Sequence, residues 1–268
     1  MLAKIYYKLT YLLANRLPRL LINPYERLIN SIAHDLVRPA SKGWSVVIIS
    51  GADDLIMLEK VLSSIDQELA NTSAEIILIA PASLRLSKKF VLPIKHCPYR
   101  DISFLPPLIT HKKNLGVRLA QYDKVVLCHD YLLFQAGWKA AWDNFGDDFD
   151  VASNQVLRQD GTRLLDWTVC DYPDLGFALL PYSKHANDYQ YLSGSYFVVK
   201  RDFYLANPLD DYRRWGEGED IEWSKRVRQK TIFQFNPSAV VISAKFKAPD
   251  PEAWLANSLK LSQQLELV

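Results

Sequence analysis

The chain has 268 residues, 49% of them hydrophobic and 12% aromatic, and a formal net charge of only +2. That is enough apolar material for one large domain or two small ones and excludes a disordered composition, while the even charge balance provides no electrostatic footprint for nucleic acid. Cys97, Cys128 and Cys170 are far apart and in no CxxC pairing, so they read as reduced core residues of a cytosolic protein, not as zinc ligands or a disulfide framework.

Residues 1–42 read as an N-terminal amphipathic helical extension, set before a globular unit at 43–268. Leu2, Ile5, Leu9, Leu12 and Leu13 recur at helical spacing, and Lys4, Lys8, Arg16, Arg19 and Arg27 make the segment basic. Basic residues interrupt the apolar region, so it does not read as a signal peptide. No uncharged apolar run reaches the roughly 18 residues that a membrane-spanning helix needs. Two readings stay open. The apolar stripe packs on this protein's own body or on a second subunit, or residues 1–38 lie in the headgroup layer at the inner face of a membrane. Pro18 and Pro24 are expected to break the helix into pieces, and Pro39–Gly43 reads as a linker.

The globular unit opens with WSVVIISG (Trp44–Gly51), a β-branched apolar run that reads as a buried strand. DLIMLEKVLSSIDQEL is helix-periodic, and AEIILIAP is a second buried strand. Strand, helix, strand with both strands apolar throughout implies parallel neighbours covered on both faces. KNLGVRLAQY predicts a short helix, DKVVLCHD another buried strand, and LLFQAGWKAAWDNF a helix. Beyond Val151 the pattern turns to mixed strand and helix. Asp160-Gly161 signals a hairpin, GSYFVVKRDFY a strand entering a helix, EDIEWSKRVRQK a helix, and TIFQFNPSAVVISAKF a strand broken at Pro237. DPEAWLANSLKLSQQLELV predicts a terminal helix with Asp250 as N-cap and Pro251 at its first position. Ligands of open α/β sheets bind at the carboxyl ends of the strands. That directs attention to SGADD after the first strand, to HDY after the strand at 123–130, and to the acids of RRWGEGEDIEWSKRV (Arg213–Val227). Acids in the first turn of a helix also suit its dipole, so this cluster has a purely structural explanation too.

In the order in which they occur, SGADD, KNLGVRLAQYDKVVLCHDYLLF, LSGSYFVVKRDFYLAN and WGEGEDIEWSKRV resemble the blocks of GT-A glycosyltransferases, especially family-2-like and galactosyltransferase-like members. The resemblance implies a GT-A-like, Rossmann-type mixed α/β sheet flanked by helices. It implies transfer of a sugar from a nucleotide-sugar donor to a glycan or lipid-linked acceptor, inverting, with Asp220 as general base and Glu219 binding acceptor hydroxyls or sharing that role. Ser50, Gly51, Asp53, Asn114, Arg118 and Asp130 then contact the donor; Trp215, Glu217, Gly194 and Ser195 face the acceptor. The chain departs from the family at the metal motif, where Asp-x-Asp is replaced by His129-Asp130-Tyr131. A neutral phenol is a poor ligand for Mg²⁺ or Mn²⁺. Asp130 with His129 holding a divalent cation is one option. Neutralisation of the diphosphate by Lys245, Lys247 or Arg118 is another. A nucleotidyltransferase is disfavoured by the acidic SGADDL after the first strand; a non-catalytic binding protein on a degenerate transferase fold is the remaining rival.

Overall fold

The computed structural model describes residues 17–30, 40–102, 105–245 and 251–266. The expected apolar stripe at Leu2–Leu13, the diphosphate candidate Lys247 and the expected cap at Asp250 lie outside them. The first helix, α1 (Leu17–Ile29), runs through Pro24 without ending. Pro18 sits in its first turn, where a proline costs no hydrogen bond; the expected break at Pro24 does not occur, and the chain before Leu17 lies outside the described residues. Nor is the whole of Pro39–Gly43 a linker: Ser41 already begins β1 (Ser41–Ile49), and Gly43 N–H donates to Asp123 Oδ1 at 2.8 Å.

An eight-stranded mixed sheet forms the body. After β1 come α2 (Leu55–Leu69), β2 (Ala74–Ala80), β3 (Ile94–Pro98), α3 (Ile109–Leu119) and β4 (Tyr122–His129). The four strands run parallel in the order β3-β2-β1-β4; the apolar runs of β1, β2 and β4 are those of strands covered on both faces, while β3 (IKHCP) is the edge. Side chains alternate between the two faces. Trp44, Val46 and Ile48 of β1 pack in one core with Leu58, Leu62 and Ile65 of α2, while Val47 and Ile49 join a second core with Leu115 and Val117 of α3.

Leu132–Phe134, expected at the head of a helix, is instead β5, an edge strand; the helix α4 spans only Trp138–Phe145. Gly137, at φ 86°, separates them. β6 (Val151–Arg158) leads into the Asp160-Gly161 turn, in which Arg158 N–H donates to Thr162 O at 2.8 Å. The returning arm makes one bridge, Leu157 with Arg163, and then leaves the sheet, so the hairpin is shorter than expected. β7 (Thr168–Tyr172), β8 (Gly176–Leu179) and β9 (Gln190–Tyr191) form a small second sheet. β10 (Tyr196–Lys200) then enters the main sheet antiparallel to β4 and feeds α5 (Arg201–Ala206). After α6 (Glu219–Val227), β11 (Gln234–Ser243) closes the sheet, with its register shifted between Asn236 and Val240 around Pro237. A proline that cannot donate to the ladder is tolerated at such a bulge. The described chain ends in α7 (Pro251–Glu266). Cys97, Cys128 and Cys170 are buried and unbridged.

No helix among the described residues is long and apolar enough to cross a membrane. α1 docks on the body by a polar face: Asn23 and Glu26 are fully buried, whereas Tyr25, Leu28 and Ile29 are 55%, 71% and 40% exposed. α3 approaches the sheet closely at Gly116, where a Cβ would lie 2.2 Å from Val47 Cγ1. Gly116→Ala is therefore expected to destabilise the fold by about 1–3 kcal/mol through overpacking, read as a lower urea midpoint at unchanged m-value.

Candidate functional site

Two geometric consequences of the topology build the site. β1 and β4 are parallel and in register, with Ile49 opposite His129, so their following loops leave the sheet side by side. β10 is antiparallel to β4, with Tyr196 opposite Cys128. The loop before β10, Ser193–Ser195, therefore meets the loop after β4, and His129 N–H donates to Ser195 O at 3.1 Å.

Two hollows flank this junction. One, of about 350 Å³, is lined by Ser50, Gly51 and Asp53 after β1, by His129, Asp130 and Tyr131 after β4, and by Asp101, Lys112 and Lys245. The other, of about 380 Å³, is lined by Gly194, Ser195, Gly218, Glu219 and Asp220, with Leu164 and Leu165 opposite. His129, Tyr131 and Trp215 line both, so the hollows are two halves of one cleft.

In the first half, the Ser50 hydroxyl donates to Asp130 Oδ2 at 2.6 Å and accepts the Ala52 N–H at 2.9 Å. Ala52 holds φ 59°, a left-handed conformation unusual for a non-glycine residue. Ser50 thus ties the strained turn after β1 to the acid after β4. Lys245 Nζ stands 3.8 Å from Asp130 Oδ1 and 5.0 Å from the centre of the Tyr131 ring. Burial, with Asp130 and Cys128 adding to it, pushes the Tyr131 phenol well above its usual range, so it stays protonated. Asp54 caps α2 through Met57 N–H at 2.9 Å, whereas Asp53 is left to the cleft.

In the second half, α6 begins without a side-chain cap. Gly216 and Gly218 take φ 84° and 63°, a conformation glycine adopts at no steric cost. They turn the chain so that Glu219 and Asp220 enter the helix facing β10. Asp220 Oδ2 accepts Gly194 N–H at 2.8 Å, and its Oδ1 accepts Ile221 N–H at 2.9 Å. Lys113, buried on α3, donates to Gly194 O at 2.8 Å and lies 3.7 Å from Glu219 Oε1. Burial raises the Glu219 carboxyl above the ordinary glutamate range; Lys113 opposes the rise and Asp220 adds to it. A Cβ on Gly194 would come within 3.0 Å of both Glu219 Oε1 and Lys113 Nζ, so the close approach depends on glycine there. The two indoles of the segment separate: Trp215 is 56% exposed at the cleft, while Trp223 is buried and stacked on Phe197.

Three expected site residues are placed elsewhere. Asn114 is buried, with its amide donating to Leu209 O at 2.9 Å and to Asp211 and its oxygen accepting from Tyr204 and Leu209 N–H; its polar atoms hold α3 to the loop after α5. Arg118, in the last turn of α3, lines neither half of the cleft. Glu217 accepts the Arg214 N–H at 2.9 Å and lines a separate open hollow with Arg213, Lys225 and Arg226. Conversely, Lys112, Lys113, Asp101 and Ser193 belong to the cleft or its wall and were not expected. The signal available for two of them was the pair Lys112-Lys113 in a helix whose first nine residues are all buried, since buried lysines need partners.

No protein-family model matches the chain, and no curated protein matches it in sequence. Solved structures do match in fold. GalNAc-T7, solved with UDP, GalNAc and Mn²⁺, superposes with a TM-score of 0.56 at 15% identity over 83% of this chain. The mannosyltransferase PcManGT from Pyrobaculum calidifontis, solved with GDP-Man and Mn²⁺, superposes with a TM-score of 0.52 at 15% identity over 92% of this chain and 70% of its own. The chain spans about half (48%) of the length of GalNAc-T7. The fold is the GT-A fold, as the order of motifs implied.

Trp215 is exposed, so Trp215→Ala is expected to change unfolding free energy by no more than about 0.5 kcal/mol. A chemical denaturation curve checks this, and a near-neutral result frees the variant for use as a probe of ligand binding.

Proposed function

We propose that this protein is a glycosyltransferase that moves a sugar from a nucleotide-sugar donor to a glycan or lipid-linked acceptor with inversion at the anomeric carbon. The observation that carries the reading is the shared wall of the two half-clefts. A donor between the tips of β1 and β4 and an acceptor at the start of α6 would meet at His129, Tyr131 and Trp215. Both fold neighbours were solved with a nucleotide or nucleotide-sugar and Mn²⁺, which supports the same donor class here.

Inverting transfer needs a carboxylate to take the acceptor hydroxyl's proton as its oxygen attacks the anomeric carbon. Asp220 is the favoured base. Two of its lone-pair positions are held by backbone N–H groups, which fix its orientation, and about two of roughly four remain to accept a proton. Glu219 is the neighbour that binds acceptor hydroxyls or shares the proton. Trp215 offers an exposed indole for a sugar's apolar face. Leaving diphosphate is met by Lys245, with Lys112 already ion-paired to Asp101 at 2.5 Å; both residues line the donor half. Among the described residues no group of three His, Cys, Asp or Glu forms a metal cage. Asp130 with His129 still fits a Mg²⁺ or Mn²⁺ ion of the kind bound through one or two carboxylates plus substrate phosphates. Such an ion would supply charge neutralisation to the diphosphate. Contact of α1 with a membrane surface is favoured by its outward Tyr25, Leu28 and Ile29. The rival of a binding protein without turnover is favoured by one feature, the protonated Tyr131 where the family usually has an acid.

Thermal-shift measurements with UDP, GDP, CMP and dTDP, each with and without Mn²⁺, are expected to single out one nucleotide, with Asp130→Ala abolishing any Mn²⁺-dependent part of the stabilisation. No stabilisation by any of the four would end the donor assignment.

Asp220→Asn is expected to lower kcat by about 10²–10⁴-fold, the usual contribution of a general base. In the case that Glu219 shares the proton with Asp220, its burial-raised carboxyl sets an acid limb of kcat/KM above the ordinary glutamate value of about 4.3, activity falling as the pH drops through it. Glu219→Gln should move that limb to lower pH; an unmoved limb assigns it to another group.

A further inference from the structure

The inverted polarity of α1 has a structural cause. Arg214, immediately before Trp215, is buried with its guanidinium spread over three partners. Its Nε and Nη2 donate to Asn23 Oδ1 at 3.1 and 2.6 Å, Nη2 also donates to Glu26 Oε2 at 2.6 Å, and Nη1 donates to Pro106 O at 2.7 Å. Asn23 in turn donates to Tyr212 O at 3.1 Å, and Arg27 pairs with Asp211 at 3.1 Å while lying over the Tyr212 ring. Further along α1's connection to the body, Asn30 donates to Arg100 O at 3.1 Å and accepts Arg100 N–H at 2.8 Å. Asn23, Glu26, Arg27 and Asn30 therefore hold two places: the loop at 211–214, leading to Trp215, and the backbone at Arg100 and, through Arg214, at Pro106, which adjoin Asp101 and Pro107 of the cleft. Trp215 N–H donates to Pro107 O at 2.9 Å and Thr110 Oγ1 donates to Arg213 O at 2.7 Å, joining the two places at the cleft.

We propose that α1 is a positioning element of the cleft and Arg214 its positioning residue, setting the Trp215 wall against which the acceptor sugar is held. α3 also bonds this loop, through Asn114 to Asp211 and Thr110 to Arg213 O, but the Arg214 side chain is held by α1: its guanidinium fork matches the Asn23 amide oxygen and the Glu26 carboxylate at once, which a lysine ammonium does not reproduce. The remaining ties of the loop are mostly local, with Arg213 Nη1 donating to Glu217 O at 2.9 Å and Arg214 N–H to Glu217 Oε2 at 2.9 Å, and left-handed Gly216 and Gly218 follow Trp215. An exposed indole on a glycine-flanked loop would sample many positions, and ordering it in advance removes that entropy from the acceptor-binding step. This inference rests on the acceptor role of Trp215 given above.

The test uses the full chain. Hydrogen–deuterium exchange is followed at 212–218 and, as an internal control, at β1 and β4, in the wild type, Asn23→Leu, Arg214→Lys and Glu26→Gln. Asn23→Leu and Arg214→Lys are expected to raise exchange at 212–218 by about tenfold, the scale of one or two lost hydrogen bonds, with β1 and β4 unchanged. Glu26→Gln keeps an acceptor oxygen for Nη2 and is expected to retain protection. With donor and acceptor present, Asn23→Leu should raise KM for the acceptor. Unchanged exchange at 212–218, or a rise shared equally by β1 and β4, overturns the proposal. The exchange result needs no sugar transfer, so absence of turnover in every variant would sink the transferase reading and leave the clamp standing.

Discussion

The hydrogen bond from Gly194 N–H to Asp220 Oδ2 is the contact on which the cleft depends. It joins the loop before β10 to the first turn of α6, and it exists only because β10 enters the sheet antiparallel to β4. An antiparallel entry puts the start of β10 beside the end of β4. The acid at the end of β4 and the acids at the start of α6 are thereby brought to one place, although 90 residues of chain separate Asp130 from Asp220. Lys113 reinforces the junction from beneath, bonded to Gly194 O and paired with Glu219. Its burial requires such partners, because an unpaired ammonium in the interior would lose its hydration without compensation.

The polar and apolar parts of the molecule divide their labour accordingly. Two apolar cores, one on each face of the sheet, fix the strands. The site is then built from loops at the strand ends, held by polar and charged side chains with direct partners: Ser50 on Asp130, Lys113 on Gly194 and Glu219, Arg214 on Asn23 and Glu26. Behind the second half of the cleft, Asp166 does the same for the loop carrying Leu164 and Leu165. It accepts from Arg163 at 2.8 Å, Tyr182 at 2.6 Å and Trp167 N–H at 2.7 Å. Burial outweighs these partners and raises its carboxyl. Loops positioned by a rigid scaffold are where binding and catalytic groups usually stand.

The α/β order was legible because β1, β2 and β4 are continuous apolar runs and α2 has clean helical periodicity. Local signals failed where tertiary contacts decided the outcome. Leu132–Phe134 looks helical in isolation but pairs with β11 at the sheet edge. Asn114 looks like a candidate for substrate contact, yet its amide is spent on Leu209, Tyr204 and Asp211. Arg214 gave no signal at all, since nothing in RRWGEG distinguishes a buried arginine from the half-buried Arg213 beside it.

By itself, the sequence determined the class of fold and the order of its acidic strand and helix ends, because periodicity, turn glycines and apolar runs are local properties of a chain. The tertiary structure alone decided which of those acids share a cleft, which of the two neighbouring tryptophans faces it, and that α1 turns its polar side inward. These depend on strand direction and on partners up to 191 residues away, as Arg214 is from Asn23, and no local pattern encodes a contact made across that distance.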